Sequence, residues 1–297
     1  MALRAASWRR GLIMALDAQR LSSLARKDLP FSWRSHQSCL YALSIGFGRE
    51  VDVRAEQEYL LPGATQRAVP TMATVMTVNV FEQDYGWQYE QMLHGEQYLR
   101  LHRPLRPAED LLADFSVDRV HDKGVNRPAM IVTRVDARRA SDGSPLFTLG
   151  STLVARADGG FDGPQDALPS LHVVPDRSPD LTHHAPTRPE QAFLYRFNGD
   201  HNPLHLRSDA ARLAGFPKPI LQGLCTYGFA CRAILETICD FDHTLIGEFN
   251  ARFTGPVFPG EVITTLMWQE GEDVSFRCRI DSRNVTVLDH GYCRLLV

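Results

Sequence analysis

No run of about 18 uncharged apolar residues occurs in the chain, so no stretch reads as a membrane-spanning helix. Paired cysteines are missing too. Cys39, Cys225, Cys231, Cys239, Cys278 and Cys293 include no C-x-x-C, which removes the usual zinc and dithiol readings. Three of them lie in or beside one apolar stretch, where a thiol acts as a small buried apolar group, and a reducing compartment suits them. Charge of one sign is absent as well. The 35 acidic and 32 basic residues are interleaved and sum to -3, so no global field gathers nucleic acid. There is no G-x-S-x-G elbow, no P-loop and no G-x-G-x-x-G. Serine hydrolase, P-loop kinase and the usual dinucleotide-binding readings fall away with them.

What remains is a chain of 297 residues, 44% hydrophobic and 23% charged. Such a composition buries a sizeable core in one large domain or two ordinary ones. The first sixteen residues carry Arg4, Arg9 and Arg10 and no acid. They read as an N-terminal extension, with Met14 as an alternative start, or as an organelle-targeting peptide. Location is accordingly expected to be cytoplasmic, or an organelle matrix if that segment targets. The final Arg294-Leu295-Leu296-Val297 is not a peroxisomal address.

Residues 158–189, DGGFDGPQDALPSLHVVPDRSPDLTHHAPTRP, are dense in Gly and Pro and lack apolar periodicity. They read as a linker. The division expected is an extension over 1–37, a first unit over 38–157, the linker, and a second unit over 190–297. Each unit has the same coarse order, an apolar helical run and then several strand-like runs. In the first, Pro70 opens MATVMTVNVF, which pattern leaves undecided between helix and strand. QYLRLHRPL, DLLADFSVDRV, AMIVTRVDARR and LFTLGSTLVAR follow. In the second, Leu224 to Ile238 is apolar on nearly every face, so its neighbours must wrap it on most sides. IGEFNARFTGPV, EVITTLMWQEG, VSFRCRID and YCRLLV follow. The class is α+β. A central helix wrapped by a curved antiparallel sheet is a hotdog, and two of them make a double hotdog.

The chemistry concentrates between Gln191 and Gly228. Asn198-Gly199 and Asn202-Pro203 are turn formers, so Asp200 and His205 stand five apart on a folded-back loop. Pro203 bars a smooth helix through them. Ser208 is read as the cap of a short helix that ends at Gly215. The chain then returns through Pro217 and Pro219 to the long buried helix, which brings Asp200, His205 and the Gly223 amide into one neighbourhood. An acid/base pair can hold one water and move its protons. A backbone amide at a helix N-terminus can stabilise an enolate oxygen. Water addition across an enoyl thioester needs both.

LYRFNGDHNPLH, AGFPKPILQGLCTYGFA and ARFTGPVFPGEVI together resemble the hydratase 2 motif of MaoC-like dehydratases, in the form found in peroxisomal multifunctional enzymes. YALSIGFG, VPTM, LHGEQYLRLHRPL and DKG extend the likeness through residues 38–297. The resemblance implies a double hotdog that hydrates trans-2-enoyl-CoA to (R)-3-hydroxyacyl-CoA. Asp200 and His205 would be catalytic and Gly223 would supply the oxyanion amide. The first half would lack the Asp/His motif and make room for the acyl chain. No cofactor or metal is implied beyond the coenzyme A of the substrate, and no nucleic-acid or membrane partner; a homodimer is compatible. Departures from the family pattern are Gln222 for His, Asn198 for Ser and Arg207 for Asp. Others are VNRP after Lys123-Gly124, Gln37 for an acid and Glu58 as a loose counterpart of a Tyr-Glu pair.

Bland readings stand beside these. Local pattern alone leaves Asp200 a catalyst or a turn cap. His201 and His205 have zinc spacing only on a helix, which Pro203 forbids. Gly223 also suits close packing. Arg252 is a candidate for the coenzyme A phosphates or an ordinary strand residue. Asn202, His94, Gly95 and Lys123 complete the substrate-binding candidates. Rival activities on the same fold are an acyl-CoA thioesterase and a catalytically weak acyl-CoA-binding subunit.

Overall fold

The computed structural model describes residues 16–49, 54–76, 92–156, 158–165 and 170–296. A short helix α1 (Ala18–Ser22) precedes strand β1 (Ala25–Trp33). Helices α2 (Ser35–Ser44), α3 (Arg54–Leu60) and α4 (Ala73–Met76) follow, the last entered by a 3₁₀ turn over Pro70–Met72. Strands β2 (Met92–Leu101), β3 (Glu109–Asp122), β4 (Ala129–Arg139) and β5 (Pro145–Ala155) complete the first half. The second half comprises β6 (Leu181–Pro186), α5 (Gln191–Tyr195), α6 (Ser208–Leu213), α7 (Gly223–Thr237), β7 (Ile246–Phe253), β8 (Val262–Glu270), β9 (Asp273–Ile280) and β10 (Val285–Leu295).

Among the described residues, ten strands join one sheet in the order β1-β3-β4-β5-β2-β7-β10-β9-β8-β6. Read outward from the β2/β7 seam, the halves run β2-β5-β4-β3-β1 and β7-β10-β9-β8-β6. Adding five to each number of the first gives the second. The repeat is therefore a repeat of topology, with α7 packed against β6, β7 and β8 and α4 against β1 and β5: a double hotdog. At the seam Tyr98 faces Asn250 and Gln97 faces Ala251. Charge pairs flank them, with Arg100 to Glu248 at 2.6 Å and Arg252 to Glu96 at 3.8 Å.

The buried helix expected from Leu224 is α7. Residues 225–235 are all buried. Aligned strand runs were legible because inward residues alternate with outward ones, as in Leu111, Ala113, Phe115 and Val117 of β3. Pro70 opens helical rather than extended backbone, as far as Met76. The rest of that run lies outside the described residues.

Two boundaries differ from the sequence reading. The segment taken as an extension contains β1, which pairs with β3, and the start of α2. The segment taken as linker contains β6, which pairs with β8. Both strands form the outer edges of the sheet and both contain proline. An edge strand tolerates Pro and charge because one side of its backbone needs no partner. The alternation that identifies central strands is therefore missing from both. The linker is also pinned where it begins: the Asp122 carboxylate accepts the amides of Gly124, Gly160 and Asp162 at 2.7–2.8 Å.

Among the described residues, a buried ion pair crosses between the halves. Arg232 of α7 donates through Nε and Nη2 to Glu56 of α3, packs over the Phe47 ring and also reaches Glu236 at 3.0 Å. Glu56 is 1% exposed and Arg232 6%. Removing one member of such a pair strands the other charge, at a loss of about 3–5 kcal/mol. Glu56→Leu should lower unfolding free energy by about 3 kcal/mol in denaturant titration. A loss below ~0.5 kcal/mol, the size of an ordinary surface change, would show that Glu236 alone satisfies Arg232.

Candidate active site

The segment carrying Asp200 is built from short pieces. α5 passes into a 3₁₀ turn over Arg196–Asn198, and Gly199 then adopts φ +106°. That left-handed backbone is open to glycine at little cost, and it turns Asp200 away from the helical path. Asp200 Oδ1 accepts the Asn202 amide at 3.0 Å, and Asn202 Oδ1 accepts the Leu204 amide at 3.0 Å. Asn202 thereby caps the 3₁₀ turn Pro203–His205. These two Asx turns hold Asp200 and His205 on one side of the loop.

His205 is held from behind. Its Nδ1 lies 2.9 Å from the Ile220 carbonyl, which can only accept, so Nδ1 carries the proton. Nε2 then points toward Asp200, 3.7 Å from Oδ2. That distance is too long for a direct hydrogen bond. Asp200 Oδ2 and His205 Nε2 thus face each other across a gap. Leu204, Ala211, Ala214, Ile220 and Phe258 form an apolar cluster that clamps the loop to the returning chain.

Gly223 is the first residue of α7. Its amide belongs to the first turn, whose N–H groups have no intrahelical acceptor. A Cβ at this position would sit 3.1 Å from the Phe253 ring. The absence of a side chain therefore serves packing against Phe253. Gln222 flanks the helix start, 1% exposed, and its Nε2 donates to the Ala192 carbonyl at 3.1 Å. It ties the start of α7 to α5.

The other candidates scatter. His94 is brought to the site's edge by β2, its ring 4.8 Å from Phe253. Its Nε2 faces the Glu96 carbonyl at 3.0 Å, and burial pushes its pKa down to about 4, so it is a neutral imidazole at physiological pH. Gly95 stands where the β2/β5 register shifts. A Cβ there would lie 2.8 Å from Val154 Cγ2, so packing accounts for it. Arg252 lines a groove of about 490 Å³ with Glu96, Tyr98, Asn250, His290 and Tyr292. Asp200 and His205 are not among its walls. Lys123 occupies the turn between β3 and β4, its amide bonded to the Pro128 carbonyl.

One reading needs correction. Ser208 is the first helical residue of α6, flanked by an extended Arg207 with no side-chain cap. Arg207 is exposed and pairs with Asp209 at 2.5 Å, so this departure from the family pattern faces solvent. The sequence reading also passed over Ser44 and Gln191. Gln191 Nε2 donates to the Ser44 carbonyl at 2.7 Å, and Asn198 Nδ2 to Ser44 Oγ at 2.8 Å. No local signal marks contacts that span 147 and 154 residues of chain.

This loop, packed against a buried helix within a double hotdog, defines a class of protein, and comparison with known proteins agrees. Residues 31–157 match the MFE-2 hydratase 2 N-terminal domain and residues 171–289 the MaoC like domain. The chain belongs to the MaoC-like, hydratase 2 family. It is 37% identical over 262 residues to 3-hydroxyacyl-thioester dehydratase Y of Mycobacterium tuberculosis, covering 86% of this chain and 88% of that one. It is 34% identical to the peroxisomal enoyl-CoA hydratase 2 of Arabidopsis thaliana, covering 87% and 89%. Among solved structures, full-length peroxisomal multifunctional enzyme type 2 of Drosophila melanogaster superposes with a TM-score of 0.79 at 33% identity. That match covers 92% of this chain and 48% of the fly protein, so the chain spans about half of it.

Gln222 makes the family departure testable. Histidine at this position can keep a donor on the Ala192 carbonyl. Gln222→His should leave turnover within a few-fold in a steady-state assay. A gain of about 100-fold, worth ~2.7 kcal/mol of barrier, would mean that the glutamine weakens the site.

Proposed function

We propose that the protein reversibly adds water to trans-2-enoyl-CoA, forming (R)-3-hydroxyacyl-CoA, with Asp200 and His205 acting on one water. The observation that carries this reading is the 3.7 Å approach of Asp200 Oδ2 to His205 Nε2, with Nδ1 committed to the Ile220 carbonyl. One substrate water can donate one hydrogen to each acceptor. Its oxygen then attacks C3 while the proton facing Asp200 transfers to the carboxylate. The same proton passes on to C2, and the other hydrogen stays on the new hydroxyl against Nε2. Both side chains end as they began. Bound in one orientation, the water adds to one face of the double bond.

Attack at C3 drives electrons toward the thioester oxygen. The Gly223 amide is the group assigned to it, aided by the partial positive charge at the start of the 15-residue α7. Relatives named as enoyl-CoA hydratase 2 and 3-hydroxyacyl-thioester dehydratase support the same reaction class. Their names cover both directions, as a reversible step requires. Coenzyme A enters as part of the substrate and no other cofactor is invoked. The chemistry suits the cytoplasm or the matrix of an organelle such as the peroxisome.

Asp200→Asn preserves size and the contact with the Asn202 amide but removes the base. His205→Ala removes the second acceptor. A positioned acid/base group is worth about 10²–10⁴ in rate, so each change should lower kcat by about that factor while KM stays nearly constant. Loss of enoyl-thioester absorbance measures the hydration, and a free-thiol assay run beside it reports hydrolysis. An Asp200→Asn enzyme that folds and keeps near-full hydratase activity contradicts the assignment. Thiol release without hydration would replace it with a thioesterase.

A further inference from the structure

Asp200 stands only two residues beyond Asn198, and Asn198 is anchored in the other half of the molecule. The anchor is Ser44, at the end of α2, fully buried. The last carbonyls of a helix have no intrahelical partner. Ser44 offers its carbonyl to two groups of the second half, Gln191 Nε2 at 2.7 Å and Cys225 Sγ at 3.4 Å. Its hydroxyl donates to the Tyr41 carbonyl at 2.7 Å, which turns an oxygen lone pair outward. Asn198 Nδ2 fills that lone pair at 2.8 Å and gives its second hydrogen to the Tyr195 carbonyl at 3.0 Å. Asn198 is 8% exposed, so these bonds form away from solvent.

We infer that Ser44 and Asn198 form a positioning clamp through which the first half sets the placement of Asp200. The inference rests on the hydratase reading given above. The turn it stabilises is weak by itself. A 3₁₀ turn of three residues has poor hydrogen-bond geometry, and here the Gly199 N–H closes its end on the Arg196 carbonyl at 3.0 Å. The Asn198 side chain supplies two further restraints, one within the turn and one to the opposite half. A serine at this position would have a single hydroxyl hydrogen and could not donate both. In this chain the clamp therefore depends on the amide. Donor and acceptor also belong to a relay, Asn198 to Ser44 to Tyr41, in which each bond polarises the next. Neither side chain touches the reacting atoms. Both act through Asp200, where a displacement of about 1 Å can cost about 10² in rate.

The test uses the full chain with Ser44→Ala, Asn198→Leu and the double variant, and Asp200→Asn as an inactive control. Ser44→Ala should lower kcat by about 10-fold or more and leave KM within two-fold. Asn198→Leu should do the same, and the double variant should be little worse than the worse single. Asn198→Ser, which keeps one donor, should fall between wild type and Asn198→Leu. Hydrogen exchange gives a readout free of activity. The Asn202 and Leu204 amides, bonded to Asp200 Oδ1 and Asn202 Oδ1, should exchange faster in Ser44→Ala, while the amides of α7 keep wild-type rates. If Asn198→Leu fails to fold, Ser44→Ala decides alone, since it keeps both carbonyl bonds. Unchanged kcat together with unchanged exchange at Asn202 and Leu204 overturns the clamp even if Asp200→Asn is dead. Faster local exchange in a protein whose wild type hydrates no enoyl thioester would keep the clamp and reject the hydratase reading.

Discussion

Everything else in the molecule depends on the pairing of β2 with β7. A single half offers an open strand edge and an unprotected row of backbone donors and acceptors. Joining the two edges through five residue pairs, from Glu96–Arg252 to Arg100–Glu248, turns two small sheets into one of ten strands. The join also fixes which first-half residues meet second-half chemistry. β2 delivers His94 against Phe253, and Phe253 in turn lies where a Gly223 side chain would be. Register at the seam is thus transmitted to the start of α7 by direct contact.

The halves divide the work unequally. Asp200, His205 and Gly223 all come from the second. The first contributes support: Glu56 satisfies the buried charge of Arg232, and Ser44 receives Gln191, Asn198 and Cys225. A loop of turns and 3₁₀ pieces has few bonds of its own. Its rigidity comes from what it is tied to, which are the Ile220 carbonyl behind His205 and the end of α2 behind Asn198. This is why a half without the Asp/His motif remains part of the same working unit.

Much of this was legible in the chain. Central strands such as AMIVTRVDARR announce themselves by alternation, and α7 by being apolar on nearly every side. The Asp200/His205 loop was legible because Gly199, Asn202 and Pro203 leave the backbone few options. The edge strands β1 and β6 were not, because Pro30 and Pro186 and their polar neighbours obey the rules of edges. Ser44 was invisible for a different reason. Its importance lies in a carbonyl and a hydroxyl met by residues 147 to 181 positions away, and no local pattern encodes that. Arg252 keeps both of its readings: its side chain faces Glu96 at 3.8 Å and lines the seam groove, while the adjoining Phe253 packs at Gly223.

The central claim is that one water, held between Asp200 and His205, supplies both the hydroxyl at C3 and the hydrogen at C2. Hydration of a trans-2-enoyl-CoA in heavy water, followed by chiral analysis of the product, tests it most directly. The expected product is (R) at C3 and carries a single deuterium at C2 in one configuration, that of syn addition. Deuterium scrambled between the two C2 positions, or an anti product, would contradict a single positioned water and the pair proposed to hold it.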